Sequence, residues 1–146
     1  MYRYINWGIS LLLFTLPACT SEVKTPPPPN VLFIAIDDLN DWASPLAGHS
    51  QILSPNLDAF GTTAVNFKRN YCTSPGCNPS RSTLLTGYHT YRSGMYSNYQ
   101  DWRKVPKLKD AQTLPKFFKD QGYYTAGAGK IFHYGQVDTL AWHNYF

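Results

Sequence analysis

Charge is scarce in this chain of 146 residues: Asp, Glu, Lys and Arg together make up only 15%, against 43% apolar residues. That balance excludes a largely disordered polymer, which combines high charge with low hydrophobicity. The 13 basic and 9 acidic side chains leave a formal charge of +4. No nucleic-acid motif accompanies this mild excess, so nucleic acid drops out as a partner, while an anionic ligand remains suitable. Cysteine is sparse as well. Cys19, Cys72 and Cys77 contain no Cys-x-x-Cys pair, which argues against a zinc site. No apolar run is long enough to cross a membrane: the stretch from Ile5 to Leu16 is broken by Asn6, Gly8, Ser10 and Thr15 and falls short of roughly 20 residues. Aromatic residues are plentiful at 16%, with 11 tyrosines and 4 tryptophans, a supply for core packing or for stacking on sugars. The length allows one domain with a modest core.

Met1 to Cys19 reads as an export signal, with Arg3 before the apolar stretch. Leu16-Pro17-Ala18-Cys19 resembles a bacterial lipobox, in which Cys19 would be lipidated and become the mature N-terminus; simple cleavage after Ala18 is the alternative. Both place the mature chain outside the cytoplasm, in the periplasm or at the cell surface, touching a membrane only through a lipid anchor. Thr20 to Asn30 forms a tether stiffened by the prolines Pro26 to Pro29.

Val31 to Ile36 is an unbroken apolar run, the pattern of a parallel strand buried on both faces. It ends in Asp37-Asp38. Ligands of α/β sheets gather beyond the carboxyl ends of strands, and paired carboxylates there suit a hard cation; a turn pair or helix cap is the plainer use. Ser54-Pro55 opens a helix whose Leu57, Phe60 and Ala64 should face the sheet, and Asn66 to Cys72 reads as a short strand. Pro79 suits the first turn of a helix closed by Gly87, so Cys77 falls at its N-terminus, where free N–H groups favour negative charge. Arg81, four residues on, adds positive charge on the same face. This is an anion site with a reactive residue, and a plain thiolate nucleophile also fits it. Cys72 reads as a small buried hydrophobe, with a Cys72–Cys77 disulfide as the competing possibility. Tyr88 to Leu108 reads as a long loop in which Arg92, Tyr96, Tyr99, Trp102 and Arg103 either contact substrate or pack. Thr113-Leu114-Pro115 starts a helix with Leu114, Phe117 and Phe118 on its apolar face and Gly122 at its end. Tyr123 to Ala128 is a further strand, followed by Lys130 and His133, which at a strand's end can steady an oxyanion or protonate a leaving oxygen.

The eleven positions Cys77 to Gly87, Cys-x-Pro-Ser-Arg and then Leu-Leu-Thr-Gly, resemble the signature of the type I, formylglycine-dependent sulfatases. Asn30-Val-Leu-Phe-Ile-Ala-Ile-Asp37-Asp38 is similar to the opening strand of that family, and Ser54-Pro55-Asn56-Leu57-Asp58 to a structural step of it. The resemblance implies that Cys77 is oxidised by a formylglycine-generating enzyme. One hydroxyl of the hydrated aldehyde would attack sulfur and release the alcohol, and the second would collapse to the aldehyde and expel sulfate. It implies that Asp37, Asp38 and residue 77 bind a divalent metal, usually calcium, that Arg81 completes the nucleophile's surroundings, and that Lys130 binds sulfate with His133 assisting. Gly129-Lys130-Ile131-Phe132-His133 most resembles the iduronate-2-sulfatase branch, which points to a sulfated sugar, such as a glycosaminoglycan, as substrate.

The implied fold is α/β: a mostly parallel sheet flanked by helices, as in alkaline phosphatase and the sulfatases, with residues 31–146 as the N-terminal part of the catalytic domain. The family's remaining metal ligands and a second lysine have no counterpart in the sequence, so a fragment or truncated product without activity of its own is expected. A phosphonate or phosphodiester hydrolase of the same superfamily and a non-catalytic surface lipoprotein are the competing functions.

Overall fold

A computed structural model describes residues 26–43, 45–46 and 48–146. The export signal, Cys19 and most of the tether lie outside the described residues. The residues up to Phe33 form one unit and Ile34–Phe146 a second. Pro26 to Asn30 are exposed and without regular structure.

The second unit carries four short helices among its described residues: α1 (Pro55–Gly61), α2 (Cys77–Thr86), α3 (Thr90–Ser93) and α4 (Leu114–Asp120). Strands β1 (Ala126–Gly127) and β2 (Asn144–Tyr145) pair in parallel, with Ala126 opposite Asn144 and Gly127 opposite Tyr145. The starts and stops follow the sequence signals. Pro55 and Pro115 sit in the first turns of α1 and α4, where a missing N–H costs nothing. Gly87 closes α2 in the left-handed conformation (φ 73°), its N–H donating to the Thr83 carbonyl at 2.8 Å.

The core gathers where the sequence shows little periodicity. Leu85 of α2, Met95, Trp102, Val105, Leu108 and Phe132 are buried together, and Leu108 is fully excluded from solvent. Tyr88–Leu108, expected as a long loop, is more ordered than that. It folds through α3 and a 3₁₀ turn, Trp102–Lys104, and supplies four of these core side chains. The Trp102 indole stacks on Phe132 at 5.9 Å, and its Nε1 donates to the Gln136 carbonyl at 2.8 Å.

Several expected elements take another form. Val31–Ile36 forms no strand, and Leu32 and Ile34 are 84% and 70% exposed. A strand must pair its backbone groups, and among the described residues the one ladder is β1–β2. Asn66–Cys72 is likewise unpaired, and of Tyr123–Ala128 only β1 joins a ladder. Without a sheet to cover them, the apolar faces of α1 and α4 stay open: Phe60 and Phe117 are exposed. Cys72 is exposed rather than buried, and both it and Cys77 are free thiols, so no disulfide joins them.

Candidate active site

Three segments distant in sequence meet at one carboxylate. Arg81, on α2, donates through Nη2 to Asp37 Oδ1 and through Nη1 to the Lys130 carbonyl. Lys130 Nζ lies 3.3 Å from Asp37 Oδ2. Asp37 thus bridges two cations, one largely buried and one half-exposed. The hydrogen bond from Lys130, with the one from Arg81, holds the Asp37 carboxyl below the usual carboxylate range although partial desolvation opposes it. Reciprocally, Asp37 raises the pKa of Lys130, with smaller contributions from Cys77 and Tyr134. The Arg81 Nε is buried and makes no hydrogen bond with the described residues, an unused donor beside the ion pairs.

The packing explains why these groups meet. Phe132, the residue between Ile131 and His133, is 5% exposed and anchored on Trp102 in the core that also holds Leu85 of α2. Lys130 and His133 flank this anchor and stay half-exposed. Gly129 turns with φ 73°, a conformation open to glycine, and its carbonyl accepts from the Tyr145 hydroxyl at 2.5 Å. The Ile131 N–H donates to the Tyr145 hydroxyl oxygen at 3.4 Å, so β2 steadies the turn that presents Lys130. The Lys130 ammonium also lies 5.2 Å from the Tyr134 ring centroid, and the His133 ring packs against Tyr134.

Cys77 is the first residue of α2 and half-buried. The expected group of free N–H donors at this helix start is smaller than the sequence implied. Asn78 N–H donates to Asn98 Oδ1 at 2.9 Å, Pro79 has no N–H, and Ser80 N–H donates to the Gly76 carbonyl at 3.0 Å. Among the described residues only the Cys77 N–H of these first positions is left without an acceptor. Positive charge near Cys77 therefore comes mainly from the side chains of Arg81 and Lys130.

Asp37 and Asp38 lie together in a turn, and Asp38 takes the left-handed conformation at φ 55°. Their oxygens suit a hard cation, but among the described residues no group of three His, Cys, Asp or Glu side chains gathers that would hold one. Of the substrate candidates, Trp102 is in the core and Arg103 is tied to Asp101 at 2.8 Å, while Arg92, Tyr96 and Tyr99 remain exposed.

Sequence reasoning passed over the residues that hold the site. Asn78 is 1% exposed, and its Nδ2 reaches the carbonyls of Asn98 at 3.1 Å and Gln100 at 2.6 Å. Gln100 in turn caps the preceding turn through Oε1, accepting from the Tyr96 and Ser97 N–H groups at 2.8 Å each. The one available signal was an asparagine at the unspecified position of Cys-x-Pro-Ser-Arg, in a turn where a polar side chain has backbone to bond.

A sulfatase family model matches residues 29–141. A sulfatase of Formosa agariphila is 43% identical over 110 residues, covering 72% of this chain and 22% of that protein. An ulvan-active sulfatase of the same organism is 33% identical over 126 residues, covering 82% and 24%. Human iduronate 2-sulfatase is 31% identical over 132 residues, covering 90% and 24%. The chain thus spans about a quarter of the length of these curated relatives.

Proposed function

The chain belongs to the sulfatase family, and from that premise we propose that it is the part of a sulfuric ester hydrolase that carries the nucleophile and one set of sulfate-binding cations. The family's fold is the α/β type of alkaline phosphatase, of which the chain is a part with helices and a short parallel sheet. The observation that carries the proposal is the convergence of Arg81 and Lys130, from segments 49 residues apart, beside the helix that starts at Cys77.

In this reading Cys77 is the residue converted to formylglycine by a formylglycine-generating enzyme; hydrated, that group supplies one hydroxyl to attack sulfur and another whose deprotonation expels sulfate. The residues of the chain do the rest. Arg81 and Lys130 neutralise the sulfate oxygens, where charge persists through the transition state. His133, half-exposed beside Lys130, gives a proton to the departing alcohol oxygen. Asp37 and Asp38 contribute carboxylate oxygens to a divalent cation, Ca²⁺ by the family resemblance, and fill its shell of about six oxygens only in part. The names of two relatives, ulvan-active sulfatase and iduronate 2-sulfatase, support a sulfated carbohydrate as substrate. The lipobox-like Leu16–Cys19 supports export, with Cys19 as the site of a lipid anchor.

Two measurements test this. Peptide mass spectrometry of protein made together with a formylglycine-generating enzyme should find the Cys77 peptide lighter than the thiol form; a thiol retained there would sink the nucleophile assignment. Parallel assays on an aryl sulfate and an aryl phosphodiester should favour the sulfate ester; the opposite preference would move the protein to the phosphodiesterase branch of the superfamily.

A further inference from the structure

We infer that Asn98 is a positioning residue for the nucleophile at Cys77, a role that rests on the sulfatase reading above. A helix start normally takes its cap from the residue that precedes it. Here that residue is Gly76, which has no side chain to offer. The cap comes instead from a residue 20 positions away: Asn98 Oδ1 accepts the Asn78 N–H at 2.9 Å. The same oxygen lies on the open side of Gly76, where an added Cβ would come within 3.4 Å of it. The Asn98 amide is therefore bonded to the residue after Cys77 and lies close to the one before it.

The return contacts make this a two-way clamp. Asn78, buried next to Cys77, donates from Nδ2 to the carbonyls of Asn98 and Gln100 at 3.1 and 2.6 Å. Gln136 Nε2 donates to the Gln100 carbonyl at 3.1 Å, and Gln136 holds Trp102. Trp102 stacks on Phe132, which lies between Lys130 and His133. A continuous chain of contacts thus runs from Asn78 through Gln100, Gln136 and Trp102 to the Lys130–His133 turn, and Asn98 holds Asn78 at its near end. With the Asn78 N–H taken by Asn98, the Cys77 N–H is the one backbone donor of the first four positions of α2 without an acceptor among the described residues.

The role predicts a split between binding and turnover. With 4-nitrophenyl sulfate as probe and the full-length, formylglycine-bearing protein, Asn98→Ala should lower kcat on the order of tenfold to 100-fold, the scale set by a displaced reacting group, with KM little changed. Asn98→Asp keeps an oxygen where the Asn78 N–H needs one, so it should recover most of the lost kcat, any repulsion of the anionic ester falling on KM. Amide hydrogen exchange at Asn78 should quicken in Asn98→Ala and stay slow in Asn98→Asp. Should Asn98→Ala fail to fold, Asn98→Ser, whose hydroxyl is too short to reach the Asn78 N–H, takes its place. An active wild type whose Asn98→Ala form keeps its kcat overturns this inference alone, as does an Asn98→Asp protein that loses kcat as fully as the alanine. A wild type that bears formylglycine yet cleaves no sulfate ester overturns the sulfatase reading and this inference with it.

Discussion

Replacing Asn78 by alanine tests how the site is held. The side chain is 1% exposed and its amide nitrogen has the carbonyls of Asn98 (3.1 Å), Gln100 (2.6 Å) and, more weakly, Ser97 (3.5 Å) in reach. An amide nitrogen carries two hydrogens, so two good bonds are the count. At a net value near 1 kcal/mol each, their loss costs about 2 kcal/mol. The Gln100 carbonyl keeps the Gln136 Nε2 donor at 3.1 Å. Asn98 itself is exposed, so water can serve its carbonyl once the amide is gone. Asn78→Ala should therefore lose about 2 kcal/mol of unfolding free energy, read by urea titration of tryptophan fluorescence with an unchanged m-value. Asn78→Asp should be worse near neutral pH, because it turns an oxygen toward two carbonyl oxygens. A loss below about 1 kcal/mol for alanine, less than one such bond, or an aspartate variant as stable as wild type, would refute the reasoning.

Other consequences follow from the same contacts. Arg81→Lys keeps the charge but not the planar fork that reaches both Asp37 and the Lys130 carbonyl, so turnover of a sulfate ester should drop roughly 10²–10³-fold; a kinetically silent lysine would remove Arg81 from the site. Trp102→Phe loses the 2.8 Å bond to Gln136 and should cost about 1 kcal/mol, while Trp102→Ala should cost about 3–5 kcal/mol by denaturant titration; equal losses would mean the stacking on Phe132 is unimportant. The Asp37 pKa is lowered on folding, so its stabilisation is present above the unfolded value near about 3.9 and disappears as pH falls through the folded value. The Lys130 pKa is raised, so its share is present below about 10.4 and disappears as pH rises through the folded value. The stability gap between wild type and Asp37→Asn should be flat near neutrality and shrink at both extremes; a gap that widens in acid would contradict the ion pairs.

The residues of the candidate site were easier to single out in the sequence than the residues that support them. Local signals worked where the physics is local: Pro55, Pro79 and Pro115 start helices, and Gly87 and Gly122 end them at φ 73° and 87°. Long-range partners were not legible. Val31–Ile36 has the composition of a buried strand, but composition cannot supply the neighbouring strands that pair it, and in the described residues none lies beside it. Tyr88–Leu108 lacks a helical or strand period because its apolar residues are buried by turns packed on α2 and Phe132, not by one regular face. The ion pairs of Arg81, Asp37 and Lys130 join residues 44 and 93 positions apart, beyond the reach of any spacing rule, and only the family resemblance placed those residues in one site. The asparagine clamp was invisible for the same reason: Asn78 and Asn98 mean little until the chain brings them together.

The most direct test is sulfate release from an aryl sulfate by the full-length protein produced with a formylglycine-generating enzyme, measured beside its Cys77→Ala variant. Turnover by the wild type and none by the alanine variant is the result expected if residue 77 is the nucleophile. Undiminished turnover by Cys77→Ala would contradict the account at its centre.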